Sequence, residues 1–319
     1  MTALSELSAL RSAKPGPGRP AAREKPKPAE RGDNKAALLF LAPWFAGLFL
    51  ITVGPMVASL YLSFTDYSLL DSPSFIGFGN YIEMFGDERL LASLRVTFVY
   101  VFVSVPIQLA VALGLALFLD RGLRGLALYR SVFYLPSLLG GSVAIAILWR
   151  RIFGNEGLIN QILSWFGIEG AGWIADPRFA LGTLIVLNVW TFGSPMIIFL
   201  AGLRQIPVAL YEAAAIDGAG KARQFRSITV PLLTPIIFFN LVLQIIYAFQ
   251  SFTQAFVVSG GTGGPVDSTL FYTLYLYKEG FTNLHMGYAS AMAWLLLVIV
   301  GGLTAVNFFL SKYWVFYDD

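Results

Sequence analysis

The sequence predicts an all-α polytopic membrane protein with six transmembrane helices, a helical cytoplasmic loop and both termini in the cytoplasm. Only 13% of the 319 residues are charged, 56% are apolar and the mean hydropathy is +0.68, whereas a soluble domain has about 25% charged residues. Six segments without Asp, Glu, Lys or Arg approach or exceed the length of about 20 helical residues that crosses a bilayer. These segments are residues 36–65, 96–119, 131–149, 179–203, 232–258 and 286–311.

The same composition argues against several classes of protein. So apolar a chain is not disordered, and a soluble globular enzyme is disfavoured. Cysteine is absent, which excludes disulfides, thiolate zinc sites and a cysteine nucleophile. The single histidine, His285, would have to carry a histidine metal site or a Ser-His-Asp relay alone. We therefore expect no metal site and no catalytic residue, and we expect His285 to lie on the surface of an outer loop.

The basic residues predict the orientation of the chain in the membrane. Residues 1–35 are rich in proline and in Lys and Arg, and we expect a disordered cytoplasmic tail, separate from a membrane domain of residues 36–317. With six crossings, 16 of the 22 Lys and Arg residues lie on the side of this tail and 6 on the other side. The positive-inside rule therefore places both termini in the cytoplasm, and we do not expect a nucleic-acid site. Arg150 and Arg151, just after the third segment, go against the rule.

The most informative stretch is the loop 204–231, between the fourth and fifth segments. It is far longer than the 2–8 residues that usually connect helices in a bundle. Pro207 is followed by a run rich in Ala, Leu and Glu, which predicts a helix over Val208–Ile216. A turn at Asp217-Gly218 and a second short helix over 221–228 follow, and we expect Pro231 to end the second helix. The loop is therefore predicted to be a cytoplasmic docking element.

Spaced residues in this loop resemble the signature of permease subunits of binding-protein-dependent ATP-binding-cassette (ABC) importers. They are Glu212-Ala213-Ala214, Gly218, Ile228 and Pro231, with Val230 where leucine is usual. The wider sequence is similar to the carbohydrate branch of that family, and in particular to the larger membrane subunits of maltose-type importers. That similarity is carried by the strings Phe78-Gly79-Asn80-Tyr81, Tyr211 to Ala219, and Gly263-Gly264-Pro265.

The resemblance implies an assembly in the bacterial cytoplasmic (inner) membrane, surrounded by lipid. The chain would pair with a second homologous permease subunit, two cytoplasmic ATPase subunits and an external solute-binding protein. ATP and Mg²⁺ would be bound by the ATPase subunits. The residues that the resemblance assigns to ATPase coupling are Glu212, Ala213, Ala214, Asp217 and Gly218.

The chain itself is not expected to hydrolyse ATP. A P-loop has the pattern G-x-x-x-x-G-K-[ST] after a strand. The nearest string, Gly218 to Ala222, has its first glycine misplaced and Ala222 where a hydroxyl would hold magnesium. A second glycine-rich string, Gly260 to Gly264, has no lysine, and we expect a flexible outer loop that faces the binding protein.

Polar residues in the fifth segment predict part of a solute pathway, because polar groups at mid-membrane are costly unless they face partners or a cavity. Gln244, Tyr247, Ser251 and Gln254 follow the spacing of one helical face, with Gln250 beside them. Amides bind sugar hydroxyls and aromatic rings stack on sugars. The resemblance supports a role in sugar contact for Gln250 and Ser251.

The fourth segment contributes further pathway residues, Asn188 and Trp190. Asn188 matches an asparagine of the maltose-type family. Gly193 and Pro195 follow, and they are expected to open the helix backbone. Gln108 adds an amide in the second segment.

Alternatives remain open at this stage. The amides could simply join helices to each other. The chain could also be a secondary transporter or channel that acts alone, or an intramembrane enzyme, although the six segments lack both acidic groups and nucleophile–base pairs. The sequence does not identify the solute: mono-, di- and oligosaccharides, polyols and glycerol phosphates remain open, and the sparse charge in the segments disfavours a phosphorylated one.

Overall fold

A computed structural model describes residues 31–122 and 125–316, and the predicted tail 1–35 lies almost wholly outside this range. Within the described residues the protein is helical, with two isolated β-bridges near one end of the bundle. The chain divides into a unit up to Pro55 and a unit from Met56 onward. The candidate sites and the side-chain contacts discussed below belong to the second unit.

Fifteen α-helices are described and are named here in chain order. They are α1 Arg31–Gly47, α2 Gly54–Leu62, α3 Gly79–Gly86, α4 Glu88–Leu119, α5 Leu126–Leu139, α6 Val143–Ile152, α7 Leu158–Trp165, α8 Pro177–Trp190, α9 Gly193–Leu203, α10 Val208–Ile216, α11 Lys221–Gln224, α12 Val230–Phe249, α13 Thr253–Ser259, α14 Tyr272–Tyr277 and α15 Met286–Trp314. Single π-helical turns cover Leu48–Val53, Phe225–Thr229 and Lys278–Thr282.

Four described helices are long and apolar enough to cross a membrane, and two bent helix pairs raise the number to six if each pair is one span. The long helices are Ala37–Leu62, Glu88–Leu119, Lys221–Phe249 and Met286–Trp314. The bent pairs are α5 with α6, at 95°, and α8 with α9, at 41°. The helical prediction is therefore confirmed, and the third and fourth predicted segments each consist of two helices that meet at a bend.

The long helix α4 is the centre of the bundle, since α8, α9, α12 and α14 all pack against it. It begins at Glu88, eight residues before the predicted start, because the Asp87 side chain caps it by accepting from the Arg89 and Leu90 amides. The charged first turns therefore belong to the helix, although a search for charge-free segments excludes them. Ala112 and Ala116 are fully buried and allow close helix packing.

The fourth span breaks at Thr191, one turn before Pro195. Proline has no N–H, so Pro195 leaves the carbonyl of Thr191 without its helical partner. The side chains of Gln108 and Ser137 replace it, at 3.2 and 2.7 Å. The helix backbone therefore opens as expected, but at Thr191, two residues before Gly193.

The third span breaks between Leu139 and Val143. Gly140 is buried against Thr191, where a Cβ would lie 2.2 Å from the threonine methyl group. Since only glycine fits there, the bends of the third and fourth spans pack directly on each other. After the bend α6 continues to Ile152, past the predicted end at residue 149.

The fifth span differs from the prediction at both ends. The helix runs from Lys221 through the π turn Phe225–Thr229 without a break at Pro231. In that turn the Val230 amide donates to the Phe225 carbonyl. The helix therefore continues through a wider π turn up to Pro231 and beyond it. At its other end the helix stops at Phe249, nine residues before the predicted end.

Two contacts show which loops share one end of the bundle. Arg204 and Asp120, which follow α9 and α4, form an ion pair of 3.5 Å. The Phe316 amide donates to Thr234 near the start of α12, at 2.8 Å. The loop 204–220 therefore lies at the same end as the C-terminal end of α15.

Candidate functional site

A polar cavity of about 540 Å³ lies where the bent spans meet the end of α12. It is lined by Tyr100, Ser137, Gly140, Gly141, Leu187, Asn188, Thr191, Ser194, Gln244, Tyr247, Gln250, Ser251, Phe252, Thr253 and Gln254. Six of the seven predicted pathway residues are among them. The seventh, Trp190, is not; its ring instead lies 6.0 Å from that of Trp149.

Asn188 is held by the bundle as well as facing the cavity. Its side-chain nitrogen donates to the Ser104 hydroxyl at 3.0 Å and to the Gln108 carbonyl oxygen at 3.4 Å. Its side-chain oxygen accepts no hydrogen bond from the described residues, so one polar atom remains for a ligand. Asn188 thus joins neighbouring helices and lines the cavity at the same time.

The end of α12 at Phe249 determines where the polar residues of the fifth span lie relative to the cavity. Gln250, Ser251 and Phe252 have left the helix, and the hydroxyl of Thr273 donates to the Ser251 carbonyl at 2.5 Å. The predicted single helical face does not exist, because Gln244 and Tyr247 lie on α12 and Gln254 on α13. The cavity nevertheless brings all of these residues together, because the chain turns at its edge.

Gln254 and Gln250 occupy different environments on this wall. Gln254 Nε2 donates to the Gly140 carbonyl at 3.0 Å, and its Oε1 accepts from the Ser251 hydroxyl at 3.3 Å. Gln250 is exposed and, like Gln244, has no side-chain hydrogen bond with the described residues. Gln254 therefore builds the wall, whereas Gln244 and Gln250 are available to a solute.

Several lining residues were missed by sequence reasoning. Tyr100 is 3% exposed on α4, and its position in an apolar segment gave no sign that it borders a cavity. Ser137, Gly140, Thr191 and Ser194 reach the cavity because their spans are bent. Pro195 was a usable signal for one bend; the glycine pair at 140–141 was the corresponding signal for the other.

The chemistry of the cavity is neutral and polar. None of its described lining residues is charged, and the lining combines amides, hydroxyls and the three aromatic residues Tyr100, Tyr247 and Phe252. Such a set can exchange hydrogen bonds with several hydroxyl groups and pack on an apolar sugar face. Within residues 31–122 and 125–316 there is also no group of three His, Asp or Glu side chains that could hold a metal ion.

A second candidate site is α10, whose bounds match the predicted helix. Four of the five predicted coupling residues, Glu212, Ala213, Asp217 and Gly218, are exposed, and Ala214 is half-buried. Ile216 is also 88% exposed. A short helix that exposes apolar and small side chains to this extent has the character of a docking surface.

The end of α10 is fixed by a Schellman motif. The Ala219 amide donates to the Ala214 carbonyl at 2.8 Å, and the Gly218 amide to the Ala215 carbonyl at 3.0 Å. Gly218 has a φ of +77°, which glycine adopts without strain. The turn predicted at Asp217-Gly218 is therefore present.

Two hydrogen bonds link α10 to the fifth span, a weak one of 3.5 Å from Gln224 Nε2 to the Tyr211 carbonyl and a shorter one between two hydroxyls. The hydroxyls of Tyr211 and Thr229 lie 2.8 Å apart, and Thr229 belongs to the π turn that is continuous with α12. Because α12 runs from there to the cavity, displacement of α10 has a direct helical connection to the cavity wall.

The opposite end of the bundle is held by Asp87. Its carboxylate accepts hydrogen bonds of 2.7 Å from both Tyr275 and Tyr288. Burial alone would raise the pKa of Asp87, but these hydroxyls and the backbone amides of Leu90 and Arg89 lower it below its usual value. The charged form therefore joins α4, α14 and α15.

Two loops that the sequence predicts to lie outside the membrane make more internal contacts than expected. The His285 side chain is 63% exposed, as expected, but its Nδ1 lies 3.1 Å from the buried carboxylate of Glu279. In the loop Gly260 to Gly264, the Thr262 carbonyl accepts from Lys278 Nζ at 3.2 Å, and the Gly263 carbonyl accepts from the Thr269 amide at 2.8 Å. Hydrogen bonds to Lys278 and Thr269 therefore hold this loop, which the sequence predicted to be flexible.

Comparison with known proteins identifies the family. The family described as binding-protein-dependent transport system inner membrane component matches residues 76–313. The chain belongs to this family. It is 53% identical over 291 residues to the probable ABC transporter permease protein YesP of Bacillus subtilis (strain 168), covering 91% of this chain and 94% of YesP. It is also 33% identical to the lactose transport system permease protein LacF of Rhizobium radiobacter, covering 86% of this chain and 93% of LacF.

A solved structure shares the fold. The bacterial alginate ABC transporter in complex with an alginate pentasaccharide-bound periplasmic protein contains a chain that matches with a TM-score of 0.76 and 21% identity. The match covers 88% of this chain and 95% of that one. The solved structure shows the shared fold, and the family match together with YesP and LacF confirms the resemblance to ABC permease subunits.

Proposed function

We propose that this chain is the permease subunit of an ATP-driven importer and forms half of the pathway for a sugar, oligosaccharide or related polyol. The observation that carries the proposal is the uncharged cavity of about 540 Å³ between two bent spans and the end of α12. LacF is named for lactose and the solved transporter for alginate. A sugar agrees with a cavity of amides, hydroxyls and aromatic rings.

In this proposal α10 contacts a cytoplasmic ATPase subunit. The support is its exposed surface, ending at Gly218, and its hydrogen bond from Tyr211 to Thr229. When the ATPase subunits close, α10 moves with them and transmits the movement through the π turn to α12. The cavity wall then changes between states open to either side of the membrane.

An external solute-binding protein delivers the solute to the outer end of the bundle. The family description and the periplasmic protein bound to the alginate transporter support this partner. A second homologous permease completes the pathway, since the cavity of this chain is open on one side with Tyr247 62% exposed. The chain itself supplies no ATPase chemistry in this proposal; ATP and Mg²⁺ belong to the partner subunits.

Co-purification followed by reconstitution tests the proposal. The tagged chain is expected to bring down a second permease and an ATPase, and the assembly with its binding protein is expected to import solute only with ATP inside the vesicles. Uptake by the chain alone, driven by a proton or sodium gradient, would establish the alternative of a secondary transporter.

A further inference from the structure

Arg150 and Arg151 are not explained by the neutral cavity or by the coupling helix. They form the last turn of α6, on the side where the positive-inside rule disfavours them. A helix C-terminus favours basic side chains, but neither guanidinium has an ion pair or a side-chain hydrogen bond with the described residues. Two adjacent arginines without an ion pair among the described residues therefore lie at the predicted outer side of the membrane.

Both arginines line a second cavity, of about 600 Å³. Its other lining residues are Ile147, Gly154, Asn155, Glu156 and Gly157. Gly157 is buried, and a Cβ there would lie 2.3 Å from the Ile152 carbonyl oxygen, so the chain turns back tightly after α6. The two arginines outnumber the single carboxylate of Glu156, so the result is a concave site with a net positive charge and of the size that small ligands occupy.

This second cavity is connected to the first by two helices that run side by side. At one end Gln254 of α13 bonds to Gly140, just before α6. At the other end Gly260 follows α13, and a Cβ there would lie 3.9 Å from Arg150 Nη1. Since α6 has 10 residues, the arginines are about 15 Å from the neutral cavity along the helix pair.

We propose that Arg150 and Arg151 bind the carboxylate of an acidic sugar at the outer mouth of the pathway. The planar guanidinium group binds a carboxylate through two parallel hydrogen bonds, and Asn155 adds an amide for neighbouring hydroxyls. The uncharged remainder of the solute then fits the neutral cavity. This inference rests on the proposed function and narrows its solute class to carboxylated oligosaccharides.

Concavity favours a small solute over two other anionic partners. Both arginines are exposed but line a cavity, and neither an acidic surface of the binding protein nor a lipid phosphate would require such a cavity. The test therefore separates these partners from the solute.

The experiment uses the complete assembly in proteoliposomes. The binding protein is first screened by thermal shift against matched neutral and carboxylated oligosaccharides, and uptake of its ligand is then measured. We expect a carboxylated ligand and, for the double variant Arg150→Gln/Arg151→Gln, an increase in KM of about tenfold with little change in kcat. The matched control is Arg178→Gln, since Arg178 is also exposed but is paired with Asp176 at 2.6 Å.

Several results would overturn the inference. A neutral transported ligand would do so while leaving import intact, as would a double variant with unchanged KM. So would a variant whose only defect is weaker affinity for the binding protein, or one whose defect depends on the anionic-lipid content of the vesicles. Wild-type vesicles that fail to import the bound ligand with ATP would instead overturn the proposed function.

Discussion

Gln254 Nε2 donates a hydrogen bond of 3.0 Å to the carbonyl oxygen of Gly140. The bond joins the first turn of α13 to the bend between α5 and α6, so two interruptions of the membrane-crossing helices support each other. Gln250, four residues earlier, has no such internal partner. The two glutamines therefore allow wall-building and solute contact to be separated by experiment.

Gln254→Leu is expected to destabilise the protein, because the buried Gly140 carbonyl loses its donor. The cost of an unsatisfied buried group is about 1–3 kcal/mol, measured as a lower thermal midpoint in detergent. Gln250→Leu should leave that midpoint unchanged but lower kcat/KM for uptake about tenfold. A stable Gln250→Leu assembly with normal uptake would mean that Gln250 is not part of the pathway.

Tyr211→Phe removes the hydroxyl that faces Thr229 while keeping the aromatic ring. The loss of one hydrogen bond of about 0.5–1.5 kcal/mol is expected to lower the amount of solute imported per ATP hydrolysed, with normal assembly of the subunits. Thr229→Val removes the other hydroxyl of the pair and should give the same defect. Fully coupled transport in both variants would contradict a role for this bond in transmission.

Gly218→Ala introduces a side chain at a φ of +77°. The strain is expected to be about 1 kcal/mol and to disturb the end of α10, which lowers ATPase association measured by co-purification. Gly220→Ala is the control, because Gly220 has a φ of −66° and no atom lies within 4 Å of a Cβ built there. Equal association of the two variants would show that the shape of the turn is unimportant.

Asp87 predicts how stability depends on pH. Its folded-state pKa is below the usual value of about 3.9, so its stabilising contribution is present above that value and is lost as the pH falls through the folded pKa. The thermal midpoint should be steady between about pH 7 and 5 and fall below pH 4. Asp87→Asn should lower the midpoint at pH 7 and weaken this acid-induced fall.

Asp71→Asn is the control for the pH series. Asp71 is exposed and accepts one side-chain bond, of 3.3 Å, from Ser68. It should behave as the wild type at every pH. An Asp87→Asn variant with an unchanged pH profile would show that the carboxylate does not join the outer ends of the helices.

The parts of the structure that were predictable from sequence are those with local causes. The bounds of α10 follow from Pro207, an Ala-rich run and Gly218, which act within a few residues of each other. The opening of the fourth span follows from Pro195, whose missing N–H releases the Thr191 carbonyl. The pathway residues were identified because an amide in an apolar segment is conspicuous whatever the shape of the segment.

The parts that were not predictable depend on contacts between distant segments. Phe249 ends α12 within a long segment without charged residues, where nothing local requires a break, and Thr273 stabilises the turn by donating to the Ser251 carbonyl. The bend at Gly140 depends on its close approach to Thr191. A hydropathy pattern contains neither contact, so both positions fell inside continuous predicted segments, and the glycine pair at 140–141 was the local sign of one bend.

Site-directed labelling tests the central claim most directly, because the chain contains no cysteine and an introduced thiol is unique. Ile216→Cys, at a position 88% exposed on α10, and Val266→Cys, at a position 90% exposed in the outer loop, form a matched pair. In intact cells a membrane-impermeant maleimide is expected to label Val266→Cys alone, and a thiol cross-linker is expected to join Ile216→Cys alone to the ATPase subunit. Labelling of Ile216→Cys from outside, or its failure to cross-link in a transport-active assembly, would contradict the account.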